Sequence, residues 1–210
     1  LGWINSENNT LVTGPIVGLK STAFIDETVA FGKALGEKIV AFNLFSEILD
    51  HCGIVARNAY EEILHIGNLF NGYEYQFKCL REKAYLSLAR KIDRLGKDVS
   101  VIIRTPASIE WRGYNMILKD HRIIAEAMMP DLIVTLINAE WKIKDHLAGN
   151  YGKHVLQVIA QQKGLTIPKI LEWLASEVSV SEDWAEWASH LTKKKVKHIV
   201  FGIETPSYMN

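Results

Sequence analysis

The run Thr13-Gly14-Pro15-Ile16-Val17-Gly18-Leu19-Lys20-Ser21-Thr22 carries the strongest chemical signal in the chain. It approximates G-x-x-x-x-G-K-[ST], in which backbone N–H groups and a helix N-terminus hold phosphate oxygens. Gly14, Lys20 and Ser21 fit, and Thr22 follows them. Lys20 would reach the outer phosphates of a nucleotide such as ATP, and the Ser21 hydroxyl would ligand Mg²⁺. Leu19 departs from the pattern, because glycine there lets backbone approach phosphate closely. Gly18, one position earlier, compensates in part. The competing reading is a plain strand-to-helix turn.

Other reactive side chains form no comparable arrangement. The seven histidines show no HxH, HExxH or i,i+4 pair, so no metal site is expected. Cys52 and Cys79 have no metal spacing and read as buried small hydrophobes in a reducing, cytoplasmic setting. Lys193-Lys194-Lys195 and Lys197 read as a solvated helix end whose charges complement the dipole. Trp184 and Trp187 read as one helix face with Leu191, either core or a surface for a second subunit.

The elements that must position the loop follow from the pattern of apolar runs. Strand candidates are Thr10–Thr13, Lys38–Phe42, Val99–Ile103, Leu132–Ile137 and Val196–Ile203. Helical stretches lie between them, from Ser21, from Leu44 to Leu95, from His121 to Met128 and from 139 to 195. Arg104–Tyr114 reads as a Pro-containing loop. Strands alternating with helices predict an α/β fold with a parallel sheet and right-handed crossovers. Ligands then sit beyond the carboxyl ends of the strands. The 210 residues suit one domain, 1–210, with 140–195 as a helical subdomain within it. Lys+Arg and Asp+Glu both number 24, so a broad grip on nucleic acid is not expected. No apolar run has membrane-spanning length, and no signal peptide is expected.

Four segments in order resemble the archaeal-type adenylate kinases. They are the loop Val12–Thr22, the strand Val40-Ala41-Phe42-Asn43, the strand and loop Val101-Ile102-Ile103-Arg104-Thr105-Pro106-Ala107-Ser108-Ile109 with Gly113-Tyr114, and the strand Pro130-Asp131-Leu132-Ile133-Val134. The resemblance implies a P-loop NTPase-like three-layer sandwich with five parallel strands in the order 2-3-1-4-5. It implies nucleotide binding at Gly14, Gly18, Lys20, Ser21 and Thr22. It places the substrate side at Asn43, Arg57, Thr105, Ser108, Gly113 and Tyr114. A homo-oligomer is also implied; independently, Phe77, Leu80, Tyr85 and Leu88 of the long helix exceed what one helix face usually hides and are candidate contacts.

The departures from that family predict a degraded active site. Its loop has glycines at Val17 and Leu19. Its carboxylate after the third strand, which organises Mg²⁺, is Arg104 here. The acidic residue after its second strand falls on Leu44. Its monophosphate-gripping arginine pair falls on Asn58 and Glu62, with Arg57 one position away. After Arg122 the chain has no arginine, so the region 140–195 is an enlarged helical replacement of the lid without its charge-neutralising groups. A single such arginine is worth about 10³–10⁵ in rate. The expectation is a nucleotide-phosphate-binding protein with weak or lost phosphoryl transfer. One alternative is a working nucleoside monophosphate kinase with Lys20, Arg104 and Arg112 as rebuilt catalytic groups. The other is a non-catalytic interaction scaffold.

Overall fold

A computed structural model of the chain describes residues 8–14, 21–71, 73–111, 114–137 and 167–202. Five strands form one parallel sheet: β1 (Asn9–Thr13), β2 (Ile39–Asn43), β3 (Ser100–Arg104), β6 (Leu132–Ile137) and β7 (Lys197–Gly202). The order is β2-β3-β1-β6-β7. Counting these five alone, that is the expected 2-3-1-4-5, and the α/β class expected from sequence is the one observed. β1 lies in the middle, hydrogen-bonded to β3 and β6, so its carboxyl end opens at the centre of the sheet edge.

One expectation fails. The stretch Arg104–Tyr114, read as a loop, carries an antiparallel hairpin of β4 (Ser108–Trp111) and β5 (Tyr114–Ile117). Its inward side chains, Ile109 and Met116, are buried and face each other across the hairpin.

Side-chain alternation along the strands gives the sheet two apolar faces. Val12, Ile102 and Leu136 point to one face and pack with Ile25 of α1 (Ser21–Ala34). Leu11, Val101, Ile103 and Ile133 point to the other face. There they meet α2 (Leu44–His51), α3 (Ala59–Phe70), α4 (Glu74–Asp93), α5 and α6 (Ile167–Thr192). Here α5 is a short helix at His121–Ile123 that continues as one π-helical turn, Ile124–Met128. Asn43 and Asn58 cap α2 and α3 through their side-chain oxygens, accepting from the N–H groups of Phe45 and Glu61.

Three further readings need correction. Phe77, Tyr85 and Leu88 of α4 are fully buried and Leu80 packs against the same core, so this face serves its own fold. A bidentate ion pair, Arg81 Nε and Nη2 to Asp120 at 2.8 and 2.9 Å, ties α4 to the turn before α5. Trp184 and Trp187 do not share an environment: Trp184 is buried in the core, whereas Trp187 is 46% exposed and its ring lies against His121. Cys52 and Cys79 are free thiols and only half-buried. Of the stretch 140–195, residues 167–195 are described. They comprise α6, whose Val180, Trp184, Ala185 and Ala188 belong to the main core, and the turn after it. The remainder lies outside the described residues.

Candidate functional site

Two polar clusters sit at the carboxyl ends of the strands, one on each side of the β1–β3 junction. The first is built by β2, β3, α2 and α3. Asn43 ends β2, and its Nδ2 donates to Glu62 Oε1 at 2.8 Å. Ser46 Oγ donates to the same oxygen at 2.9 Å. Arg104 ends β3, and its Nη1 stands 3.4 Å from Glu62 Oε2. These residues line a cavity of about 280 Å³, together with Thr22 of α1, Asp50 of α2 and Arg57 and Asn58 before α3. Four sequence-predicted residues, Thr22, Asn43, Arg57 and Arg104, are thus brought together. Glu62 joins them as a buried carboxylate.

The second cluster centres on Glu177 of α6, which is fully buried. Its Oε1 accepts from the backbone N–H of Gly14 at 2.8 Å and of Ala107 at 2.6 Å. Its Oε2 accepts from Ser108 Oγ at 2.5 Å. Burial pushes its carboxyl above the ordinary value of 4.5, against the pull of those donors. Gly14 holds φ +149, outside the range comfortable for side chains. A helix that follows far in sequence therefore clamps the start of the phosphate-type loop and the turn after β3.

A directed chain of hydroxyls continues from this point. Ser181 Oγ donates to the Glu177 carbonyl oxygen at 2.7 Å. Each hydroxyl has one hydrogen. The 2.8 Å contact between Ser181 and Thr13 is therefore donated by Thr13, and the 2.8 Å contact between Thr13 and Thr135 by Thr135. Thr135 Oγ1 is then the acceptor in its 2.9 Å contact with His198 Nε2. This fixes His198 as the Nε2–H tautomer. Burial also lowers its pKa below 6.5, which keeps the ring neutral, with Glu182 opposing.

The other predicted site residues are placed as follows. Ser21 is the first residue of α1 and is buried. Gly18, Lys20, Arg112 and Gly113 lie outside the described residues. Tyr114 opens β5. Thr105 and Ser108 do not line the cavity: both are buried, Thr105 Oγ1 paired with Tyr85 OH at 2.8 Å and Ser108 with Glu177. The described donors do not fit the expected Mg²⁺. Position 104 holds a guanidinium, Glu177 has both oxygens occupied, and no group of three His, Cys, Asp or Glu among the described residues could hold a metal ion.

Sequence reasoning passed over Glu62 as a partner and Glu177 altogether. The signal for Glu177 was available: it lies four residues after Trp173 and three and seven before Val180 and Trp184, on the buried stripe of its helix. A charge on such a stripe requires buried donors.

No family model and no curated protein matches the chain. Solved structures similar to it include the following three. A shikimate kinase from Acinetobacter baumannii in complex with shikimate is 11% identical, over 95% of this chain and 84% of its own, with a TM-score of 0.44. A structure of the PezAT chromosomal toxin–antitoxin system of Streptococcus pneumoniae is 13% identical, over 96% and 70%, with a TM-score of 0.48. A deoxyadenosine kinase from M. mycoides with bound dATP is 10% identical, over 93% and 90%, with a TM-score of 0.42. At these identities the likeness concerns the fold alone, and superposition this loose assigns no residue a role.

Proposed function

We propose that the chain binds a nucleotide of ATP type through its phosphates at Gly14–Thr22, with Lys20 as the cationic contact, and that phosphoryl transfer is slow or lost. One observation carries this reading. The central strand ends at Thr13, and a helix of 14 residues begins at Ser21, so residues 14–20 join a strand end to a helix N-terminus at the middle of the sheet. That is where an α/β fold binds anions. Binding should depend little on Mg²⁺, because the strand-end carboxylate is replaced by Arg104. The adenylate-kinase resemblance, carried by sequence motifs alone, supplies the finer reading of the substrate. Assembly as a homo-oligomer and a cytoplasmic location belong to the same proposal; no described helix is long and apolar enough to cross a membrane. Light scattering tests the oligomer.

The pairing of Arg104 with Glu62 favours binding without efficient transfer. The resemblance puts a carboxylate at position 104 and an arginine at position 62. This chain reverses both charges, and the two reversed residues pair with each other. Calorimetric titration of ATP, with and without Mg²⁺, into the chain and into Lys20→Ala is the test. Loss of binding in Lys20→Ala is expected. Unchanged binding would make the loop a turn and leave the scaffold reading. Turnover of ATP and AMP at about 1–100 per second would make the chain a working kinase.

A further inference from the structure

The cavity of about 280 Å³ beside Thr22 has walls of mixed charge. Its size lies just below the range of drug-sized sites, about 300 to 1,000 Å³. Glu62 is held in place by Asn43 and Ser46, and Arg104 meets it only at 3.4 Å. That separation is longer than the about 2.7–2.9 Å of a full charge-assisted bond. Arg104 therefore keeps donors, and Glu62 keeps an oxygen with acceptor capacity. Asp50 and Arg57 add one carboxylate and one guanidinium with no ion-pair partner among the described residues. Two cations and two anions leave the walls neutral.

A phosphate monoester carries nearly two negative charges. To reach Arg104 it would have to sit against Glu62, which Asn43 and Ser46 hold in place. Hydroxyl groups suit the same walls, because each donates to a carboxylate while accepting from a guanidinium or amide. We propose that this cavity binds a small uncharged polyhydroxylated molecule, of monosaccharide or cyclitol type, and rejects phosphate monoesters. This goes beyond the nucleotide reading. Glu62, Arg104, Asn43, Ser46, Asp50 and Arg57 all lie outside the Gly14–Thr22 loop, so failure of ATP binding would not remove this site.

The test uses the full chain with D-glucose, D-ribose and myo-inositol as probes, against AMP and inorganic phosphate, at millimolar concentration. Saturation-transfer NMR reads binding, and amide shifts locate it. At least one neutral probe is expected to bind, shifting the amides of Asn43 and Ser46, and AMP is expected not to displace it. Glu62→Gln should weaken that binding about ten-fold or more. Asp50→Asn, at an exposed position that does not endanger folding, should weaken it by a smaller factor. The proposal is overturned if none of the three neutral probes binds, if AMP or phosphate displaces the bound probe, or if neither substitution changes its affinity. Loss of ATP binding in Lys20→Ala with sugar binding intact would separate the two sites.

Discussion

Glu62 and Glu177 stand at the same end of the same sheet, each delivered by a helix, and they are treated in opposite ways. Glu177 receives two backbone N–H groups and a hydroxyl and is sealed from water. Glu62 receives two neutral side-chain donors and a distant guanidinium, and it borders a cavity. A carboxylate sealed from water, with both oxygens taken by the fold's own donors, serves the architecture. One held from behind and left partly open is available to a ligand. Position at the strand ends therefore does not by itself identify a binding group; the remaining hydrogen-bonding capacity does.

The largest effect should come from emptying the sealed site. Glu177→Ala strands the N–H groups of Gly14 and Ala107 and the Ser108 hydroxyl in a buried space. A loss of about 3–4 kcal/mol is expected in urea unfolding. Glu177→Gln should stay within about 1 kcal/mol of the parent at neutral pH, since its amide can accept from both N–H groups and donate to Ser108. The pair also separates charge from shape. The folded pKa of Glu177 lies above 4.5, so the native state holds the proton more tightly than the unfolded chain. Its contribution is fully present below 4.5 and is lost as pH rises through the folded value. Stability of the parent relative to Glu177→Gln should therefore fall over that window. A constant difference between the two across pH would show that the carboxyl has the same pKa folded and unfolded, against the effect of its burial.

Next in size is the open cluster. Arg104→Asp places a second carboxylate beside Glu62 in place of its cation. A loss of about 2–3 kcal/mol is expected, less than at Glu177 because this pair is partly hydrated. Adding Glu62→Gln to Arg104→Asp should return most of it. Failure of that rescue would mean that Arg104 stabilises β3 by packing and that the charge pair is incidental. The same pair sets a limit on restoring a metal site: an aspartate at 104 is tolerated only when Glu62 has changed too.

The sheet was legible because its strands are short apolar runs separated by helical periodicity, and Val101-Ile102-Ile103 has the continuous apolar character of a strand covered on both faces. The hairpin was misread because Pro106 and Gly113 suggested an irregular loop. Yet only Arg112 and Gly113 separate Trp111 from Tyr114, the spacing of a two-residue turn, and Ile109 and Met116 alternate correctly. Within the site, Asn43 and Arg104 were legible from their places after strands, and Arg57 only through the family resemblance. Their partner was not, since residues 42 positions apart, such as Glu62 and Arg104, meet only once the β2–β3 pairing is known. The surface reading of α4 failed for a related reason. Twenty residues of mixed pattern look too apolar for one face until α2, α3 and the sheet are seen to cover it.

The smallest effect concerns the hydroxyl chain that ends at Glu177. Thr135 receives from His198 Nε2–H and donates to Thr13, so Thr135→Val removes an acceptor and a donor while keeping the shape of the side chain. Thr13 still donates to Ser181 and needs no replacement for its own hydrogen. The exposed end of the chain is different: His198 is half-buried, and its N–H can turn to water. A loss of about 1 kcal/mol is therefore expected, well under that of Glu177→Ala. The His198 pKa supplies an independent check. It is lowered below 6.5, so neutral His198 contributes stability that is present above 6.5 and lost as pH falls through the folded value. In the parent, ¹⁵N shifts of the His198 ring should show the Nε2–H tautomer. In Thr135→Val that preference should weaken while the fold persists. An Nδ1–H tautomer in the parent would reverse the direction of every hydrogen bond assigned between His198 and Ser181, and would take the Ser181 hydrogen away from the Glu177 carbonyl.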